Sequence, residues 1–144
     1  MRVYTIGFTR TTAESFFGRL RDAGVKRVVD VRLNNTSQLA GFTKQDDLRY
    51  FLRALCGIEY IHRPDLAPTQ EILDAVKKGK GKWSDCERDF LNLIASRGIE
   101  KTQPREMLDG ACLLCSEDKP VHCHRRLVAE YLAGKWGDLE IVHL

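Results

Sequence analysis

Short apolar runs alternate along this chain with longer stretches of helical spacing. Val3-Tyr4-Thr5-Ile6, Val28-Val29-Asp30-Val31, Ile58 to Ile61, Ala111 to Leu114 and Leu139 to Val142 read as strands rich in branched and aromatic residues. Between them, Phe16, Phe17 and Leu20 share a helical face that stops at Gly24. Leu48, Phe51, Leu52 and Leu55 do the same ahead of Gly57, and Phe90, Leu91 and Ile94 ahead of Gly98. Pro68-Thr69 opens a helix through Ile72, Leu73 and Val76, and Leu127 to Leu132 form the apolar face of a last one. Thr11 with Glu14 and Ser84 with Glu87 have capping-box spacing, and Thr43 can cap the helix through Leu48.

Strands separated by helices imply βαβ units. The expectation is a single-domain Rossmann-like α/β three-layer sandwich over residues 1–144, with a mainly parallel sheet of about five strands covered on both faces. There is no internal repeat and no linker-like stretch to divide it. In such sheets ligands sit outside the carboxyl ends of the strands, at a topological switch point. The residues leaving the strands are therefore informative: Thr9 and Arg10 after the first, Arg32 after the second, His62 and Arg63 after the third, Cys115, Ser116 and Glu117 after the fourth. Arg125 and Arg126 follow on the last helix. Guanidinium groups from separate strands suggest an anionic ligand, because their forks match phosphate and carboxylate.

Composition bounds the possibilities. The 144 residues are 43% hydrophobic, enough for one core. No apolar run is long enough to cross a bilayer and no leader signature opens the chain, so a soluble cytoplasmic protein without a membrane partner is expected. A net charge of +3 admits an anionic small molecule or nucleic acid as partner but does not single out either. Five cysteines is an odd number, which fits a reducing compartment better than a disulfide framework. No phosphate-cradling glycine motif is present, so no nucleotide cofactor is expected.

The densest chemistry lies in Cys112-Leu-Leu-Cys115-Ser-Glu117 and His122-Cys123-His124-Arg125-Arg126. Cys123, near a helix N-terminus and beside His124 and Arg125, is placed to ionise early and act as a nucleophilic or redox thiol. Otherwise it is a buried packing residue. Cys115 is a resolving thiol or a strand-end core residue; Cys112 alternates to the other face and, with Cys56 and Cys86, belongs to the core. His124 and Glu117 can carry protons, or Glu117 can neutralise Arg125. Asp30 and Arg32 share a face opposite Val29 and Val31, so Asp30 is either half of a structural ion pair with Arg32 or Arg125, or functional, as an acid–base residue or as an orienter of His124. Zinc could take Cys112, Cys115, Cys123 and His124, but alternation separates the first pair and the second pair is adjacent, so no metal is expected. The basic run Lys77 to Lys82 with Trp83 reads first as a solvated loop and a packing tryptophan, and second as a nucleic-acid contact.

Several of these residues resemble one family. Thr5-Ile6-Gly7, Asp30-Val31-Arg32, Ser37, Phe42, Tyr60, Leu66, Leu114-Cys115-Ser-Glu117 and Cys123-His124-Arg125 look like the family catalogued as domain of unknown function 488. The resemblance spans nearly the whole chain and implies a small Rossmann-like domain without an assigned reaction. Phe8-Thr9 stands where the common pattern has His-Ser, and Asn35 where it favours proline, so no role for that histidine carries over. Two function classes follow from the residues. One is a thiol enzyme acting on an anionic substrate, with Cys123, Cys115, Glu117, His124 and Asp30 in the chemistry and Arg32, Arg125, Thr9, Arg10 and Arg63 holding charge. The other is a non-catalytic nucleic-acid-binding module using the same arginines.

Overall fold

A computed structural model describes residues 1–36, 41–77, 82–117 and 119–144, excepting the side chains of residues 76 and 77. Ser37 and most of the basic run between Lys77 and Lys82 lie outside the described residues. Five strands, β1 (Arg2–Ile6), β2 (Arg27–Asp30), β3 (Glu59–His62), β4 (Ala111–Leu114) and β5 (Glu140–His143), form one sheet in the order β3-β2-β4-β1-β5. Every pairing is parallel, with Cys112 of β4 opposite both Tyr4 of β1 and Val28 of β2. The three central strands are almost wholly buried, which is why they read as apolar runs without polar alternation.

The crossovers divide by direction. Helices α1 (Ala13–Asp22) and α2 (Gln45–Phe51), the latter continued by a π-helical turn over Leu52–Cys56, lie on connections that run toward the β3 edge. They bury Phe16, Phe17, Leu20, Leu48 and Leu52 against Tyr4, Ile6, Val28, Tyr60, Cys112 and Leu114. The connections running the other way carry α3 (Gln70–Lys77), α4 (Trp83–Arg97), α5 (Ile99–Thr102), α6 (Arg105–Leu108) and α7 (His124–Trp136). On that second face Phe90, Ile94, Leu127, Val128 and Leu132 pack on Val3, Val29, Val31 and Leu113. Because right-handed crossovers in opposite directions must use opposite faces, the order of strands alone dictates the sandwich. Connections part between β2 and β4, and the switch point lies there.

Three of the expected caps fall elsewhere. Thr12, not Thr11, caps α1, its hydroxyl accepting from the Ser15 N–H at 3.1 Å. The acceptor must stand three residues before an N–H that the first turn leaves open, and Thr12 meets that condition one position later. Thr43 is buried in a 3₁₀ turn over Gly41–Thr43 and α2 begins after Lys44 without a side-chain cap. Ser84 lies inside α4, which starts at Trp83 after Lys82. Gly98 does end α4 in the left-handed region, at φ 63°. No described helix is long and apolar enough to cross a membrane.

Candidate active site at the carboxyl edge

Two buried polar groups flank the switch point. The first grows from β2. Asp30 is fully buried at the strand's last position, and a carboxylate there demands donors. Arg32 supplies a fork, Nε to Oδ1 at 2.9 Å and Nη2 to Oδ2 at 2.8 Å, and its backbone N–H adds a third bond at 3.0 Å. Tyr60 Oη donates to Oδ2 at 2.6 Å and receives Asn35 Nδ2 at 3.2 Å. Arg32 Nη2 also reaches the Thr43 carbonyl at 2.7 Å, and its guanidinium lies over the Phe8 ring, 5.2 Å from the centroid. Burial and then the Asp30 charge push the Tyr60 hydroxyl far above its ordinary range, so it stays a donor. His62 Nε2 meets the Arg32 carbonyl at 2.8 Å.

The second group joins β4 to α7. Cys123 sits at the N-cap of α7 with 1% of its surface exposed, in extended conformation at φ −136°. Arg125, equally buried, donates Nη1 to the Glu117 carbonyl and to Cys123 Sγ, the latter at 3.3 Å. Half-buried Cys115 lies beside Cys123 and His124. Burial works against a Cys123 thiolate, but the Cys115 thiol and then Arg125 outweigh it and bring Cys123 down to about 7. Donation to Cys123, and then burial, hold Cys115 well above the thiol range. The pair therefore shares one proton in the neutral range.

The loop over these thiols is fastened to the loop after β1. Phe8 and Thr9 N–H groups donate to the Ser116 carbonyl at 3.2 and 3.0 Å, and Thr9 Oγ1 donates to it at 2.7 Å. Gly7 is indispensable to this crossing: a Cβ there would overlap the Glu117 carbonyl.

The predicted residues divide accordingly. Cys115, Cys123, His124, Arg125 and the backbone of Glu117 are brought together, and so are Asp30 and Arg32. Glu117 is exposed, and it is its carbonyl that meets Arg125. Asp30 is engaged by Arg32 and Tyr60, the ion-pair alternative of the two the sequence left open. Arg63 binds Gln103 Oε1 at 2.8 and 3.2 Å and lies 3.5 Å from Asp65. Exposed Arg10, the one described non-glycine residue at positive φ (59°), borders a cleft of about 510 Å³ with Phe8, Thr9, Thr12 and Phe42. Cys112 faces the α1–α2 side and Cys115 the α4–α7 side, as alternation requires. Among the described residues no group of three or more His, Cys, Asp or Glu side chains is placed to hold a metal.

Sequence reasoning missed Gln103, for which no local signal exists. It also gave no part in this edge to Tyr60, whose hydroxyl reaches Asp30 only through the register that sets it opposite Val28. An α/β domain with a parallel sheet and a paired-thiol edge is thus the class that the fold and site define. The sequence matches the family described as Domain of unknown function DUF488 over residues 12–132, most of the chain, and the protein belongs to that family. No curated protein and no solved structure shows a significant match.

Proposed function

We propose that the protein is a thiol enzyme acting on an anionic substrate at the carboxyl edge of the sheet. The observation that carries this reading is the position of Cys123, at the head of α7 between the Arg125 guanidinium and the Cys115 thiol. A thiolate available near neutral pH is the nucleophile such an arrangement favours. Its lone pair would form the bond to an electrophilic atom of the substrate, and the leaving group would depart with the pair it held. Cys115, as a residue less buried than Cys123, stands where a resolving thiol is needed, and His124 beside it where a proton carrier is needed. Group or sulfur transfer suits these parts; hydride transfer would require a dinucleotide site. With Arg32 and Arg63 already held by protein acceptors, their part is to shape the edge, while Arg10 keeps an exposed guanidinium for charge.

Iodoacetamide labelling of Cys123 against pH tests the proposal. Buried Cys123 is reached only when the covering loop gives, so the amplitude reads opening and the midpoint reads ionisation. A midpoint close to 7 is expected. A midpoint in the ordinary thiol range, together with salt-sensitive binding of unrelated DNA or RNA, would turn the assignment to a non-catalytic nucleic-acid-binding module.

A further inference from the structure

The thiols have neighbours that no step above uses. Trp83 opens α4 and His124 opens α7, and their rings meet edge-on with centroids 5.6 Å apart. His124 is 6% exposed and also packs edge-on against Phe90, 4.7 Å between centroids. Both Trp83 Nε1 and His124 Nε2 are buried without a hydrogen-bond partner among the described residues. Folded proteins satisfy nearly all such atoms, so two on touching rings ask for an explanation.

An indole N–H can only donate, so the partner of Trp83 Nε1 is an acceptor. Cys123 and burial hold the Cys115 thiol up, whereas the His124 ring works the other way, as a donor to that sulfur does. An imidazolium donates from both nitrogens, and a negatively charged acceptor at the ring favours that form. One acceptor between the two rings then answers both orphan atoms. The surroundings favour a negative one. The first turn of α7 has no acidic residue, and its open N–H groups attract anions. In the first turn of α4 Asp85 opposes this, whereas Glu87 is answered by Arg126 at 3.6 Å.

We infer that Trp83 and His124 form the seat for an oxyanion group of the substrate, beside Cys115 and Cys123. The inference rests on the thiol-enzyme reading for the identity of the ligand as substrate, but not for the existence of the seat. His122, exposed and stacked on Trp83 at 5.2 Å, borders the seat on its solvent side.

The test uses the full chain with inorganic phosphate, sulfate and acetate, each titrated at constant ionic strength against chloride. In a Trp136→Phe background, Trp83 emission should change saturably with at least one anion. The melting temperature of the unmodified protein should rise by several degrees as that site fills. Trp83→Phe and His124→Phe keep ring packing but delete a donor. Each should weaken the anion about tenfold or more, while the anion-free melting temperature holds or rises because an orphan group is gone. Preference for phosphate and sulfate over acetate would mark a tetrahedral group, and the reverse a carboxylate. No saturable response to any of the three, or undiminished affinity in both variants, overturns the seat. Cys123→Ser should bind the anion as before, so intact binding with ordinary Cys123 reactivity would remove the thiol-enzyme reading and leave the seat standing.

Discussion

The two buried polar groups at the switch point have opposite hydrogen-bond economies. Around Asp30 nearly every lone pair and proton is answered: three donations from Arg32, one from Tyr60, and Asn35 closing the chain behind it. Around Cys123 a thiol pair shares one proton, and a ring nitrogen of each of the adjoining His124 and Trp83 has no partner among the described residues. A satisfied network rigidifies a fold, whereas an unsatisfied one keeps affinity in reserve. On the thiol-enzyme proposal the difference separates scaffold from chemistry on one sheet edge, even though both groups contain the charged residues that suggest a ligand.

The largest expected effect breaks the scaffold side. Asp30→Ala leaves Arg32 as an unpaired buried cation and should cost about 3–5 kcal/mol, read as a lowered urea midpoint. Asp30→Ala combined with Arg32→Met should recover most of that loss, because no charge remains buried. A double variant as unstable as the single would show that Asp30 serves something other than Arg32.

How much of this was legible before any coordinates differs between the two sides for the same reason. The strands were readable to within a residue, since buried parallel strands are apolar runs and their ends are marked by Gly7, Arg32 and Cys115. The Asp30–Arg32 pair was also readable as an alternative, because residues two apart on a strand share a face. Helix starts were less so: capping spacing recurs at Thr11 and Thr12, and only the N–H left open decides. Trp83 and His124 could not be paired from sequence, because their contact depends on how α4 and α7 cross. The one available hint was that each opens a helix.

The next effect bears on the crossing that fastens the thiol loop. Gly7→Ala drives a methyl group into the Glu117 carbonyl, and overpacking of this kind costs about 1–3 kcal/mol. Because Arg125 Nη1 holds that same carbonyl, the displacement should also loosen Cys123. Labelling amplitude should therefore rise in Gly7→Ala while the Asp30 network, read by Tyr60 titrating far above its ordinary range, stays unchanged. A change at both would mean that the two groups are one cooperative unit.

The smallest effect sharpens the comparison through pH. The Cys123 thiol falls from an ordinary 9.0 to about 7 on folding. Between those values the unfolded chain binds the extra proton, so stability rises with pH from 7 to 9 by something on the order of 2 kcal/mol and is lost as pH drops through 7. Cys115, held well above 9.0, acts with the opposite sign: above that pH the unfolded thiol ionises while the folded one does not, and stability falls. Burial sends Cys56, Cys86 and Cys112 the same way. Urea midpoints across this range should therefore pass through a maximum near pH 9. Cys123→Ser should erase the rising limb and keep the falling one. Cys115→Ser substitutes a different hydrogen-bond donor to the thiolate, so it should move the Cys123 labelling midpoint. A rising limb that survives in Cys123→Ser would have to come from another group, and the special protonation of the thiol pair would lose its thermodynamic support.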